Sequence, residues 1–376
     1  MKPRAAALLA AALLAGHAAG APPARDDGAA ASPAPEPCFT AAEWPEADRL
    51  FRRDPHWVGA DGASSIPLGP GRTLWLFGDS WVDPGGRHSR AGGRMVRNTV
   101  GIQRGADPSR AATSFHWRRD AGGAPDAFFP GEDSAWFWPG HGIRVGRTLV
   151  VFLMRVEPST SGLGFSPAGW AAFEVPNPDD EPGRWCVRRL RAPQNGLGVA
   201  VGSAAVLRDG PHVYAFSSQE PVSPHPMYLV RWRADDLARG RLARMEWWGG
   251  PDRGWLPDDS SHASQAAFTD GQSELSVHLD AERVRLLAFQ TVGFGAADIA
   301  VRAAREPVGP WSGPRVFHRP AEHGRRDILL YAARAHPELR GADLVLTYAT
   351  NSLRFEDQLA DSLLYYPRFL RLTRCR

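Results

Sequence analysis

The sequence predicts an all-β chain folded as one five-bladed β-propeller, preceded by a short N-terminal helix and a cleaved signal peptide. Three observations carry this. Short apolar runs recur at 74–77, 149–153, 212–216, 285–289 and 344–348. The composition is rich in turn formers, with 39 Gly and 33 Pro in 376 residues. No long 3.6-residue apolar period is present, so the runs read as buried strands rather than helices.

Each run follows a small-residue segment and a turn. These segments lie at 61–66, 138–143, 201–206, 273–277 and 332–336, and Asp61, His141, Ser203, Glu274 and His336 serve as anchors for them. The anchors are spaced by 80, 62, 71 and 62 residues. Five hairpin-bearing units of similar size suit a propeller, because one blade buries both faces only by stacking on neighbours until the ring closes. A two-sheet sandwich is the alternative, and it leaves the five similar units unexplained.

The N-terminus has the pattern of an export signal. Lys2 and Arg4 precede the apolar run 5–15, and small residues follow at 18–21. That run is too short to span a bilayer, so residues 1–21 are expected to be a cleaved signal peptide. Residues 22–37, rich in Ala and Pro, are expected to be a disordered linker, and 38–376 the single propeller domain. The best helix candidate is 41–53. The expected location is outside the cell or in the periplasm.

Formal net charge is +3, from 44 Lys+Arg and 41 Asp+Glu, and two of the basic residues lie in the leader. No basic block remains, which sets nucleic acid aside as a partner. There is no nucleophile elbow, P-loop or dinucleotide fingerprint. The cysteines are Cys38, Cys186 and Cys375. In an exported chain, a Cys38–Cys375 bridge would clasp the two ends of the ring, with Cys186 unpaired and packed inside; three free buried thiols are the alternative. No CxxC or His/Cys cluster supports a metal site, and no cofactor is expected.

In a hairpin, the start of the first strand lies beside the end of the second. Those positions from every blade should therefore meet at one mouth of the central channel. The candidates are Asp61 and Asp79 in blade 1, His141 and Arg155 in blade 2, and Ser203 and Gln219 (with Glu220 beside it) in blade 3. Blade 4 supplies Glu274 and Gln290, and blade 5 supplies His336 and Asn351. Asp61 and Glu274 are the carboxylates expected nearest the axis, and glycoside hydrolysis needs two such groups. Asp79 would tune Asp61 or hold the turn through Ser80. The blander readings are a turn residue for Asp61, a strand-start residue for Glu274, a satisfied core histidine for His336 and an internal ion pair for Arg155. Trp57, Trp81, Trp136 and Trp138 flank the expected mouth, where aromatic faces suit sugar rings; packing between blades is the alternative.

Two stretches carry a family resemblance. Trp57-Val58-Gly59-Ala60-Asp61-Gly62-Ala63-Ser64-Ser65-Ile66 and Leu74-Trp75-Leu76-Phe77-Gly78-Asp79-Ser80 resemble the opening of domain-of-unknown-function family 4185. Trp138-Pro139-Gly140, Ala335-His336-Pro337, Tyr348-Ala349-Thr350-Asn351-Ser352 and Tyr366-Pro367-Arg368-Phe369 agree, so the resemblance runs from Trp57 to Leu372. It implies a five-bladed propeller related to arabinanase-like glycosidases, with a base Asp that falls on Asp61 and an acid for which Glu274 is the positional candidate. His141 departs from the Asp found after Trp-Pro-Gly in many relatives. The function expected is a secreted glycoside hydrolase acting on a furanose-containing, arabinan-like polysaccharide, as a monomer. The catalytic set would be Asp61, Glu274 and Asp79. His336, Asn351, His141, Arg155, Gln290, Trp138 and Trp81 would contact substrate. A non-catalytic carbohydrate-binding or surface-interaction propeller is the alternative.

Overall fold

The computed structural model describes residues 37–375, apart from 161–163, 221, 281, 283, 294 and 326. The expected leader and nearly all of the expected linker lie outside the described residues. Five antiparallel sheets succeed one another along the chain as the blades of a propeller. Their innermost strands are Trp57–Gly69, Trp136–Val145, Val199–Asp209, Ser276–Asp280 and Ile328–His336. Each of these touches the next, and the fifth touches the first, so the ring closes around one channel. No helix among the described residues is long and apolar enough to cross a membrane.

The apolar runs explain the stacking. In blade 1 the second strand, Arg72–Val82, is buried on both faces. Trp75 and Phe77 pack toward blade 5, with Val345 and Phe369. Leu74 and Leu76 pack toward blade 2, with Leu149, Val151 and Phe173. Successive side chains point to opposite faces, so one strand feeds two inter-blade cores. The same holds at the other junctions: blades 2 and 3 share Phe152, Val213 and Trp232, blades 3 and 4 share Phe216 and Ala288, and blades 4 and 5 share Phe289 and Leu346. Removing a buried ring such as Trp75, which is 0% exposed, costs about 3–5 kcal/mol.

The ring is shut by the chain ends. Strand Phe39–Glu43 pairs with the last strand, Arg368–Arg374, so the N-terminal strand completes blade 5. Cys38 and Cys375 are disulfide-bonded across this pair, with Cα atoms 5.3 Å apart and a sequence separation of 337. Cys186 is unpaired but exposed, not packed inside. It sits in the loop after strand Phe165–Val175, where its N–H donates to Asn177 Oδ1 at 2.8 Å. The expected helix at 41–53 is shortened. Residues 41–43 are drawn into the edge strand, leaving helix Pro45–Asp48 and a 3₁₀ turn at Arg49–Phe51. The free edge of the last strand offers a row of backbone partners, and this tertiary pairing overrides helix propensity.

The registers correct two boundaries. Blade 5's inner strand starts at Ile328, four residues before the expected segment. Leu329 therefore lies opposite Asn351, while His336 lies opposite Val345 at the hairpin end. In blade 4 the inner strand starts at Ser276, and Glu274 lies in the turn just before it.

Candidate functional site

Asp61 lies on blade 1's inner strand where the register slips, between the Ala60–Ser80 and Gly62–Phe77 pairs. Gly62 (φ +85°) and Ala63 (φ +68°) make the bulge. Bulges bend a strand and re-aim its side chains. Asp61 is 0% exposed. Its Oδ2 accepts hydrogen bonds from the hydroxyls of Tyr331 (2.9 Å) and Tyr365 (3.3 Å). Its Oδ1 has no hydrogen-bond partner among the described residues. Burial, then the negative charges of Glu274 and Asp79, hold its pKa well above the usual carboxylate range, and the two tyrosines oppose them.

Asp79, at the end of the adjoining strand, is also buried. Its Oδ1 accepts from Trp138 Nε1 at 2.8 Å, and its Oδ2 pairs with Arg97 Nη1 at 3.1 Å. Burial raises its pKa to about 6 against the pull of Arg97 and Trp138. The Arg97 guanidinium rests on the Trp136 ring, 4.1 Å from its centroid. Both strands thus deliver an acid to one place, as the hairpin geometry predicts.

Glu274 is half-buried. Burial, reinforced by Glu220 and opposed by Arg334, raises its pKa to about 7. Its charge is felt at Asp61 and at Tyr331. Arg334, on blade 5's inner strand, is 2% exposed and donates from Nη1 to the carbonyls of Ala204 (2.6 Å) and Leu275 (2.9 Å), tying blades 3, 4 and 5 together. Glu220 accepts from Ser218 Oγ at 2.8 Å and lies 3.2 Å from His225 Nδ1; burial raises its pKa as well.

The other candidates divide. Asn351 belongs to the Asp61 end: its Nδ2 donates to Tyr331 Oη at 3.2 Å, and its Oδ1 accepts from Gln358 Nε2 at 2.7 Å. Trp81 joins the same network by donating from Nε1 to Gln358 Oε1 at 3.0 Å. Trp138 packs edge-on against Phe165 at 4.8 Å while holding Asp79. Gln290 is buried in blade 4, donating to Asp270 O at 2.9 Å, and its Oε1 has no partner among the described residues. Gln219 donates to Leu197 O at 2.9 Å, and the hydroxyls of Ser203 and Ser218 lie 2.9 Å apart.

His336 is 1% exposed, with Nδ1 2.6 Å from Ser65 Oγ, Nε2 2.8 Å from Thr347 Oγ1 and its ring against Trp75. With both nitrogens engaged at the hairpin end, it is a packed core histidine and not a partner of Asn351. His141 Nδ1 accepts the Val206 N–H at 3.1 Å, joining blades 2 and 3, and burial beside Arg334 lowers its pKa to about 3. Arg155 pairs with Glu157 on its own strand. Trp57 stacks on Phe115 at 4.1 Å inside the blade 1 core.

Sequence reasoning missed Tyr331, Tyr365, Arg97 and Arg334. Once the start of blade 5's inner strand is placed at Ile328, Tyr331 falls beside a bulge (Ala332, φ +54°), as Asp61 does. Tyr365 comes from the crossing loop that precedes the last strand, and the strand pattern gives no signal for it.

Residues 46–374 match the family described as "Domain of unknown function (DUF5005)". The chain belongs to that family. The match replaces the resemblance to family 4185. No curated protein matches the sequence. Among solved structures, a "putative hydrolase" of Bacteroides ovatus is similar over 89% of this chain and 90% of its own, with TM-score 0.69 and 18% identity. The catalytic domain of a GH62 α-L-arabinofuranosidase of Coprinopsis cinerea is similar over 90% and 97%, with TM-score 0.46 and 11% identity. At 18% identity the likeness to the Bacteroides ovatus structure speaks to the fold alone.

Proposed function

We propose that the DUF5005 protein is an exported glycoside hydrolase acting on a furanose-containing, arabinan-like polysaccharide. The observation that carries this reading is the buried Asp61 acted on by two further carboxylates, Asp79 on the adjoining strand and Glu274 in the turn before blade 4's inner strand. Raised pKa values and coupling of this kind cluster at functional sites. In the reaction, Glu274 gives its proton to the glycosidic oxygen as the C–O bond breaks. Asp61 either takes a proton from the water that attacks the anomeric carbon or attacks that carbon itself. Asp79, held by Trp138 and Arg97, sets the charge next to Asp61. The disulfide fits an oxidising compartment, in keeping with export.

The complete burial of Asp61 favours a second reading, a propeller that binds carbohydrate without cleaving it. Product release from a panel of purified glycans, D-arabinan and L-arabinan included, separates the two. Release by the wild type, lost in Asp61→Asn and Glu274→Gln, is the expected result. Binding without release by the folded wild type would replace the hydrolase with the binding module.

A further inference from the structure

We propose that Tyr331 and Tyr365 are positioning residues that clamp Asp61 through Oδ2 and favour its ionised form against burial and the neighbouring acids, leaving Oδ1 as its working oxygen. This inference rests on the hydrolase reading, in which Asp61 acts as base or nucleophile. The clamp comes from two separate elements. Tyr331 stands on blade 5's inner strand, and Tyr365 lies in the loop that leads to the last strand. Both donate to the same carboxylate oxygen, at 2.9 and 3.3 Å.

Each phenol is itself held. Tyr331 Oη accepts from Asn351, which Gln358 and then Trp81 brace in turn. Tyr365 has a left-handed backbone (φ +60°), and its N–H donates to Thr350 O at 3.0 Å. Arg90 fixes the loop before it by donating to the carbonyls of Gln358 and Leu364, and reaches Val58 O at 2.7 Å on the Asp61 strand. Oδ1 is different. It has no hydrogen-bond partner among the described residues, and a Cβ added at Gly78 would lie 2.4 Å from it. Glycine at 78 leaves this oxygen the space that any larger residue there would take.

A base must be ionised, and the surroundings of Asp61 oppose this. Asp79 and Glu274 face it with negative charge, and burial removes water. The nearby cations are engaged elsewhere: Arg97 with Asp79, Arg334 with two carbonyls beside Glu274, and Arg90 with the loop carbonyls. The two phenolic hydrogen bonds are what favours the charged form of Asp61.

The test is a carboxyl titration by NMR of the full mature protein labelled with ¹³C-aspartate, the Asp61 signal being identified by its loss in Asp61→Asn. The midpoint should move to higher pH in Tyr331→Phe and in Tyr365→Phe, and further in the double variant. On any glycan that the wild type cleaves, kcat/KM on the acid side of the profile should fall by about tenfold per phenol removed. An Asp61 midpoint unchanged in both single variants would overturn the clamp. The titration needs no turnover, so it is read even if the hydrolase proposal fails in the glycan panel. Should the double variant not fold, the two single variants carry the test.

Discussion

Arg334 donates to the carbonyl of Leu275 at 2.9 Å, so the guanidinium grips the residue that directly follows Glu274. It also supplies the positive charge that opposes burial and Glu220 in setting the Glu274 pKa, which stands at about 7. An acid that must start protonated loses activity as pH rises through that value. Weakening the cation or the neighbouring anion should therefore move the alkaline limb in opposite directions. Arg334→Gln, which keeps a donor for the carbonyls, should shift the limb to higher pH. Glu220→Gln should shift it to lower pH. Profiles of kcat/KM for the two variants check this, and a limb unmoved in both would remove Glu274 from the acid role.

Gly78 tests the other carboxylate. Its φ is not left-handed, so alanine is acceptable to the backbone there, but the new methyl would lie 2.4 Å from Asp61 Oδ1. The carboxylate must swing away from its tyrosines or the strand must part. Gly78→Ala should reduce kcat about 100-fold or more, in line with the cost of misplacing a reacting group by 1 Å. The stability loss should stay at about 1–3 kcal/mol, as for other overpacked sites. Turnover beside thermal melting separates the two effects.

The architecture was legible because propeller periodicity is written in both strand pattern and turn composition. Runs such as Leu74 to Phe77 must bury both faces, and only stacked blades provide two cores for them. The Asp61–Asp79 pairing was legible for the same reason, since antiparallel geometry fixes which ends meet. Blade 5 misled because its inner strand, Ile328–His336, is wholly buried and opens on an apolar run, so the small-residue segment at 332–336 is not its start. Anchoring on His336 placed a core residue at the mouth and hid Tyr331. Arg334 was invisible for another reason, because a charge inside a buried strand is explained only by carbonyls from two other blades.

The Cys38–Cys375 bond joins the ends of a ring that is otherwise closed by strand pairing and by Arg374, which makes a two-pronged ion pair with Asp280 at 2.9 and 3.0 Å. Losing a cross-link over so long a separation costs about 2–5 kcal/mol. Cys38→Ser/Cys375→Ser should therefore still fold but melt at lower temperature, with earlier proteolysis near residue 39. Calorimetry of this variant, and of the wild type with and without reductant, checks this. Because Cys186 is exposed and free, a thiol assay on the native wild type should count one reactive group per chain.

The three coupled acids also fix how stability depends on pH. Asp79 at about 6 and Glu274 at about 7 lie above their unfolded values, and Asp61 is raised too. The fold thus prefers their protonated forms. That contribution is complete below the unfolded carboxylate pKa of about 4 and is lost as pH rises through the folded values. Paired acids such as Asp280 and Asp298 act in the reverse sense: their pKa values are lowered, so their contribution disappears only under more acidic conditions. The melting temperature should therefore peak in mildly acid solution and decline toward pH 8. Asp79→Asn and Glu274→Gln should each flatten that decline, because a neutral amide has no charge to lose. A slope between pH 5 and pH 8 unchanged in both variants would show that these carboxyls are not held protonated by the fold.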